Sequence, residues 1–350
     1  MSDPIRPLTI PEEAKKRLRI MFIAKHAKWP GGLHPEDGNH ALYHVEVREI
    51  LEGLGLNLVL ADRYEALFDK PDVDFVFPLL NRGGFLNSEM MLPLLCTRHA
   101  LPFLGASPIL RGLSDDKSLT KLAAAARGIP TAPWAVYRRG APVEEDRCPI
   151  PPRDGEGDRA ERGGGAGDRW VIKPNASSAS WGVQDARDWA GVEAAIASIH
   201  SEGHDAIVEP FLSGSDVEVP VITVDGKPVI MPMMLFEQAD PSHLRTYYEK
   251  RDLVDRSQKY QLVEFDDPEW MPIIAEHTRN LVEEFRPFDY GRYEFRLDRE
   301  GGKVQFLEVN LNANLWSQKV YGRSAKAAGL SQEQLIETIL CESLARHGLL

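Results

Sequence analysis

The segment YEFRLDREGGKVQFLEVN, Tyr293 to Asn310, alternates apolar and polar residues on either side of a Gly-Gly pair, the pattern of a β-hairpin. Side chains two apart on a strand share a face, so Glu294, Arg296 and Asp298 form one row and Glu308 and Asn310 another. With the turn centred on Gly301, Glu294 falls opposite Glu308 and Arg292 opposite Asn310. Like charges directly across a strand pair repel. A hard cation between the carboxylates removes the conflict, and Mg²⁺ commonly takes one or two carboxylates together with substrate phosphates. Asn310 adds a neutral oxygen on the same face, and Arg292 a guanidinium suited to phosphate oxygens. Glu294, Glu308 and Asn310 are therefore candidate metal ligands, and Arg292 a candidate partner for a metal-bound polyphosphate. A solvated outer face of a hairpin fits this segment, taken alone, equally well.

Lysines form a second constellation. Lys117 stands in the first turn of a helical pattern. Lys173 ends the strand-like run WVIKP and precedes PNASSASWGV, whose small residues, Ser178 and Ser180 among them, can bring N–H groups and hydroxyls against phosphates. It is not the GxxxxGK[ST] loop, and a solvated lysine before a plain turn is as good a reading. In VEPFLSGSDVEV, Glu209 ends a strand and Asp216 follows a Ser-Gly turn; a base and then a sugar could sit there, although a surface acid explains the segment more simply.

The elements that position these residues follow from periodicity. LRIMFIA (Leu18 to Ala24), Leu56 to Leu60, Asp74 to Leu80 and Pro102 to Leu104 read as strands, with helical patterns over His40 to Leu51 and Glu89 to Arg98. This βαβ rhythm predicts a parallel sheet with helices packed on it. The loop after the first strand lacks GxGxxG, which removes most support for a plain nicotinamide dehydrogenase. A helix is predicted from Ser114, its cap, to Gly128. Strands are predicted at IPTAPWAVY, WVIKP, AIVEPF, VEVPVITV and PVIMPMML, with Asp225-Gly226 turning between the last two. Helices are predicted at Trp189 to His200, at Pro268 to Phe285 and after the capping box at Ser331. Residues 140–169 are dominated by glycine, proline and charge, and almost nothing there is expected to be buried.

The chain has 350 residues, more than one ordinary core, with 43% hydrophobic and 27% charged residues. A formal net charge of −12 disfavours a nucleic-acid partner. Three widely spaced cysteines without a CxxC pair argue against a zinc site or a disulfide framework. No signal peptide and no apolar run of about 20 residues is present, so no membrane association is expected and a cytoplasmic location is the default.

Taken in order, FLGASPILRGLSDDKSLTKLAAAARGIPTAPW, VIKPNASSASWGV, IVEPFLSGSDVEV, YYEK, GRYEFRLD and FLEVNLNANL resemble the ATP-grasp ligases, in the D-alanine–D-alanine ligase branch. The resemblance implies an α/β (α+β ATP-grasp) fold. An N-terminal Rossmann-like parallel-sheet domain (1–106) would be followed by two α+β subdomains, 107–212 with a mobile insertion at about 140–169 and 213–350, that clamp ATP between them. It implies that Lys117, Lys173, Ser178 and Ser180 bind phosphates, that Glu209, Phe211 and Leu212 line the adenine site, and that Asp216 holds the ribose. Lys250 of YYEK would reach the phosphates from a mobile loop. Glu294, Glu308 and Asn310 would ligate Mg²⁺, with two ions expected and Mn²⁺ an alternative. Arg292 would stabilise an acyl phosphate and a tetrahedral intermediate. The implied reaction joins a small-molecule carboxylate to an amine with release of ADP, and a homodimer is expected.

The resemblance departs at the substrate end. Asn81 of LLNRGGFLNSE stands where the family has a histidine, and PGGLHPEDGNH offers no clear match to its early glutamate. Asn314 replaces a glycine that lends an oxyanion contact, and Lys319 of SQKVYG takes the place of a serine that binds the second substrate's carboxylate. These changes point away from D-alanine towards another biosynthetic amino-acid or peptide ligase. The short segment ending AKAAG is similar to ligases that attach amino acids to mycosporine-type scaffolds. D-alanine–D-alanine ligation proper, a non-catalytic ATP-binding protein and a kinase are the competing readings.

Overall fold

The computed structural model describes residues 5–80, 88–149, 169–177, 180–238, 240, 242–244, 246–250 and 260–350. Asn81, Ser178 and residues 150–168 of the glycine-rich segment lie outside the described residues.

The chain opens with α1 (Glu12–Arg17), β1 (Arg19–Ile23), α2 (His40–Gly53), β2 (Asn57–Ala61), β3 (Phe75–Pro78) and α3 (Met91–Arg98). β1 pairs in parallel with both neighbours, in the order β2-β1-β3. Its unbroken apolar run is what a strand covered on both faces requires. Ile20 and Phe22 pack with Val47 and Leu51 of α2, whereas Met21 and Ile23 pack with Leu92 and Cys96 of α3. The strand expected at Pro102 to Leu104 is reduced to one bridge, Phe103 to Val76. Beyond it the Gly105 N–H donates to Asp289 at 2.6 Å and the chain leaves the sheet.

The helix expected from Ser114 to Gly128 is two helices, α4 (Pro108–Asp115) and α5 (Lys117–Ala126), separated by an extended Asp116. Asp116, rather than Ser114, caps α5 by accepting from the Leu119 N–H at 3.0 Å. The Ser114 hydroxyl donates instead to the Arg111 carbonyl.

A four-stranded antiparallel sheet follows, built from β4 (Ala135–Tyr137), β5 (Trp170–Pro174), β6 (Gln184–Ala186) and β7 (Ala206–Pro210) in the order β4-β7-β5-β6, with α6 (Trp189–Ser201) packed on it. Residues 140–149 are better packed than their composition suggests. Val143 and Cys148 lie against this core, and the Trp170 indole donates to the Pro149 carbonyl at 2.7 Å.

The remaining elements are β8 (Ser215–Val224), β9 (Lys227–Ile230), β10 (Met234–Gln238), α7 (Tyr247–Lys250), β11 (Tyr260–Glu264), α8 (Trp270–Phe285), β12 (Tyr290–Asp298), β13 (Lys303–Asn310), α9 (Val320–Ala327) and α10 (Gln332–Arg346). Their strands form a sheet in the order β11-β10-β8-β12-β13, with β9 paired to β8. The run PVIMPMML is not one strand: Pro232, which has no N–H to offer a ladder, falls between β9 and β10. Asp225 and Gly226, both at positive φ, make the expected β8–β9 turn. Before β8, a Cβ at Gly214 would lie 2.0 Å from the Leu297 carbonyl oxygen, so the turn meets β12 only because glycine is there.

The hairpin register is the expected one where it matters: Arg292 faces Asn310 and Glu294 faces Glu308. It is reached by another route. Pairing from Asp298–Lys303 to Phe295–Phe306 centres the turn between Glu300 and Gly301, which by continuation would set Glu294 opposite Leu307. A bulge at Leu307 shifts the ladder by one residue and returns Glu308 to Glu294. Among the described residues no helix is long and apolar enough to cross a membrane.

Candidate active site

The four-stranded and six-stranded sheets face each other across a cavity of about 360 Å³. Every candidate residue within the described part of the chain lines it.

Its floor is a row of carboxylates on three adjacent strands. Glu218 of β8 lies opposite Glu294 of β12, which lies opposite Glu308 of β13. Arg292 threads the row, with Nε 2.8 Å from Glu218 and its guanidinium paired to Glu294. The Asn310 amide nitrogen donates to Glu294 at 2.8 Å and to Glu308 at 3.2 Å. Burial pushes the Glu294 carboxyl up to about 7; Arg292 opposes this, and Glu218 and Glu308 add to it. Glu308 is buried too, but Lys117 and Lys173 outweigh its desolvation and hold it down at about 2. One carboxylate is thus fixed as an anion while its neighbour shares its charge with a proton. Glu218 and Glu294 share the single guanidinium of Arg292, and a row of carboxylates short of positive charge at that end suits a divalent cation. The residues present fit Mg²⁺, with Glu294 and Glu308 as ligands and Asn310 contributing its oxygen once the amide turns over. Glu218 was not singled out from the sequence, although it sits two residues after Asp216 and so on the same strand face.

The lysines stand beside this row. Lys117, at the start of α5, donates to the Ser177 carbonyl at 2.7 Å and lies 3.5 Å from Glu308. Lys173 lies 2.6 Å from one Glu209 oxygen, and Lys121 lies 2.7 Å from the other. Lys121, unremarked in the sequence, is one turn after Lys117 on the same face of α5 and fully buried. Burial draws it below the ordinary lysine range and Glu209 draws it back. Glu209 is thus foremost a clamp between two ammonium groups, which outweigh its own desolvation and hold it at about 2. That depression stabilises the fold fully above the ordinary carboxyl range, by roughly 3 kcal/mol, and the contribution is lost as pH falls from about 4.5 towards 2. Glu209→Gln is expected to cost about 3 kcal/mol at pH 7, with the gap to wild type narrowing below about pH 4. Urea unfolding at the two pH values measures it; a gap independent of pH would contradict the clamp.

Phe211 and Leu212 form an apolar wall where β7 leaves its sheet, with the Arg169 guanidinium 4.2 Å from the Phe211 ring centre. Arg296, placed on the hairpin face by the sequence but given no role there, ties this wall to Asp216: Nε donates to the Leu212 carbonyl at 3.0 Å and Nη1 lies 2.7 Å from the Asp216 carboxylate. Ser180 borders the same space at positive φ. At the other end Lys319 precedes α9, with its ammonium 3.5 Å from the Lys250 carbonyl. Asn314 accepts from the Trp316 N–H at 2.8 Å, an Asx turn that directs the chain towards Lys319. Asn39, His40 and Tyr43 of the loop after β1 and of α2 complete that end.

The sequence profile of the family described as "D-ala D-ala ligase C-terminus" matches residues 124–341. A D-alanine–D-alanine ligase of Polaromonas is 23% identical over 250 residues, covering 71% of this chain and 68% of that protein. The crystal structure of D-alanyl-alanine synthetase A from Vibrio cholerae superposes with a TM-score of 0.73 at 16% identity, covering 94% of this chain and 98% of that one. The D-alanine–D-alanine ligase of Bacillus anthracis, solved in complex with ATP, gives 0.69 at 17% identity, covering 95% and 99%. At these identities the structures establish a shared fold.

Proposed function

The chain belongs to the D-ala D-ala ligase C-terminus family, and from that premise we propose that it joins the carboxyl group of one amino acid or small acid to the amine of another through an acyl phosphate. It is an ATP-grasp ligase of the ADP-forming class. The observation that carries the finer reading is the convergence of the Glu294–Glu308–Asn310 row, Arg292, Lys117 and Lys173 on one cavity. In this reading residues 107–212 and 213–350 are the jaws that hold the nucleotide, and residues 1–106 close the substrate end.

Phe211 and Leu212 receive the base, and Asp216, oriented by Arg296, accepts from the sugar hydroxyls. Lys117 and Lys173 balance the phosphates, the second held in place by Glu209. A carboxylate oxygen of the first substrate attacks the γ-phosphorus and ADP leaves. The amine of the second then attacks the acyl carbon, phosphate leaves with the carbonyl–phosphate bond, and the amine loses a proton. Arg292 lies where negative charge collects on the acyl phosphate and on the tetrahedral intermediate, and donors placed there act on the transition state. Lys250 adds charge at the phosphates and Lys319 at the substrate end. Mg²⁺, when bound, supplies the positive charge that lets adjacent carboxylates and a triphosphate share one site. Asn314 and Lys319, in place of the family's glycine and serine, favour substrates other than two D-alanines.

Hydroxylamine in place of the amine tests the acyl phosphate. ADP release together with a hydroxamate is expected when a competent acid is supplied; ADP release without hydroxamate under those conditions contradicts the intermediate. The Glu294 carboxyl, poised at about 7, must lose its proton to ligate. Mg²⁺ affinity should therefore weaken towards tenfold per unit below about pH 7 and level off above it. Calorimetry in buffers of different ionisation enthalpy should show proton release at about pH 6 and almost none at about pH 8.5. Proton release equal at both would contradict Glu294 as a ligand.

A further inference from the structure

The loop that carries Asn314 and Lys319 is held from outside the cavity. It runs from the end of β13 to the start of α9, and Lys319 is its last residue, immediately before Val320. Two residues earlier, the Ser317 N–H donates to one oxygen of Glu46 at 2.9 Å, and the Ser317 hydroxyl donates to the other at 2.6 Å. Glu46 comes from α2, 271 residues away in sequence and one turn beyond Tyr43, which lines the cavity. Both oxygens of an anion are thus taken up by neutral donors, and such charge-assisted bonds are roughly twice as strong as those between neutral groups. Two bonds converging on one residue fix the direction of its amide and the rotamer of its hydroxyl together. α9 closes the other side. A Cβ at Gly322 would lie 2.3 Å from the Ser317 Cα, so the first turn of the helix rests directly on Ser317. The Lys319 N–H closes onto the Trp316 carbonyl at 3.0 Å, and the Lys319 carbonyl accepts from the Arg323 N–H at 3.0 Å. A shift of Ser317 is therefore also a shift of Lys319.

We propose that Glu46 is a positioning residue for the second half of the reaction: through Ser317 it sets where the Lys319 ammonium stands, and so how the carboxylate of the amine substrate is held while its amine meets the acyl carbon. This rests on the ligase reading above, in which Lys319 serves the substrate end. Glu46 touches no substrate and moves no proton. The acyl phosphate forms at Arg292 and the carboxylate row, which are held by the pairing of β8, β12 and β13 and not by Ser317. Loss of Glu46 should therefore fall on the second step alone. That step is sensitive to placement, since moving a reacting group by about 1 Å can cost about a hundredfold in rate. A nucleophile without a carboxylate has no use for Lys319 and should not respond. Because α2 belongs to residues 1–106, the N-terminal part of the chain would then set which amines the site accepts.

The test gives the full chain ATP, Mg²⁺, a pool of the proteinogenic amino acids with their D-isomers, and hydroxylamine, so that amino acid and hydroxylamine compete for one acyl phosphate. The ratio of amide to hydroxamate is read by mass. Glu46→Ala should lower that ratio by about tenfold or more and leave hydroxamate formation within about twofold of wild type. A contact that only stabilised the fold would lower both products together and leave the ratio alone. Lys319→Ala should also lower the ratio, and Glu46→Ala added to it should lower it little further, because the two act on one element. Glu46→Gln, which keeps an acceptor for the Ser317 N–H, should fall between. On the same preparations, hydrogen exchange over residues 315–319 should quicken by about tenfold or more in Glu46→Ala, with β12 and β13 unchanged. An unchanged ratio, or unchanged exchange in that segment, overturns the proposal and leaves the ligase reading standing. Hydroxamate without any amide from the wild type would show that the amine is not an amino acid, and would overturn the role of Lys319 and this proposal with it. Neither product from the wild type would overturn the ligase reading itself, and the step assigned to Glu46 with it.

Discussion

Replacing Glu308 with Gln should lower Mg²⁺-dependent ADP release by about a thousandfold or more and leave a cooperatively folding protein. Lys117 and Lys173 hold this carboxylate at about 2, so it is an anion at any working pH, whereas Glu294 is part-protonated until a cation arrives. Glutamine keeps the shape and one oxygen but loses the charge that anchors the ion. Lys117 keeps its bond to the Ser177 carbonyl, so the start of α5 should stay in place. Turnover against Mg²⁺ concentration, with urea unfolding on the same preparation, measures both parts. Turnover at the wild-type level would show that the row of carboxylates is not the metal site.

Arg292→Ala should lower turnover by about a hundred- to a thousandfold while ATP affinity changes by only a few-fold. The asymmetry follows from placement: Arg292 borders the carboxylate row, whereas Lys117, Lys173, Phe211 and Asp216 line the part of the cavity assigned to the nucleotide. The substitution also leaves Glu218 and Glu294 without their shared cation, so some loss of stability is expected. Arg292→Ala combined with Glu218→Gln should recover stability without recovering turnover. If the second change restores activity, Arg292 serves only to balance buried charge. Equal losses in turnover and in ATP binding would place it at the nucleotide instead.

How far the sequence leads can be seen in these same residues. Period-two alternation put Glu294 on one polar face and Glu308 on another, and a turn taken as centred on Gly301 set them against each other. The bulge at Leu307 had a signal that went unread, the adjacent apolar pair Phe306-Leu307 that breaks the alternation, and the expected register was reached only because the bulge offsets a turn centred half a residue earlier. Lys121 and Glu218 had a signal, one turn beyond Lys117 and two residues beyond Asp216. Both look like solvated charges until the opposing sheet is in place. Arg296 was seen as part of a face but not as the partner of Asp216, since that contact spans two strands far apart in sequence. The break at Asp116 was hidden by helix-forming residues on both sides of a capping aspartate.

Purified protein incubated with ATP, Mg²⁺ and pooled amino acids, followed by product mass, tests the ligase reading most directly. A pool that stimulates ADP release should yield a product whose mass is the sum of two components less one water, with one ADP and one phosphate formed per product. ATP binding without stimulation by any pool, or a stable phosphorylated product with no amide, would contradict it.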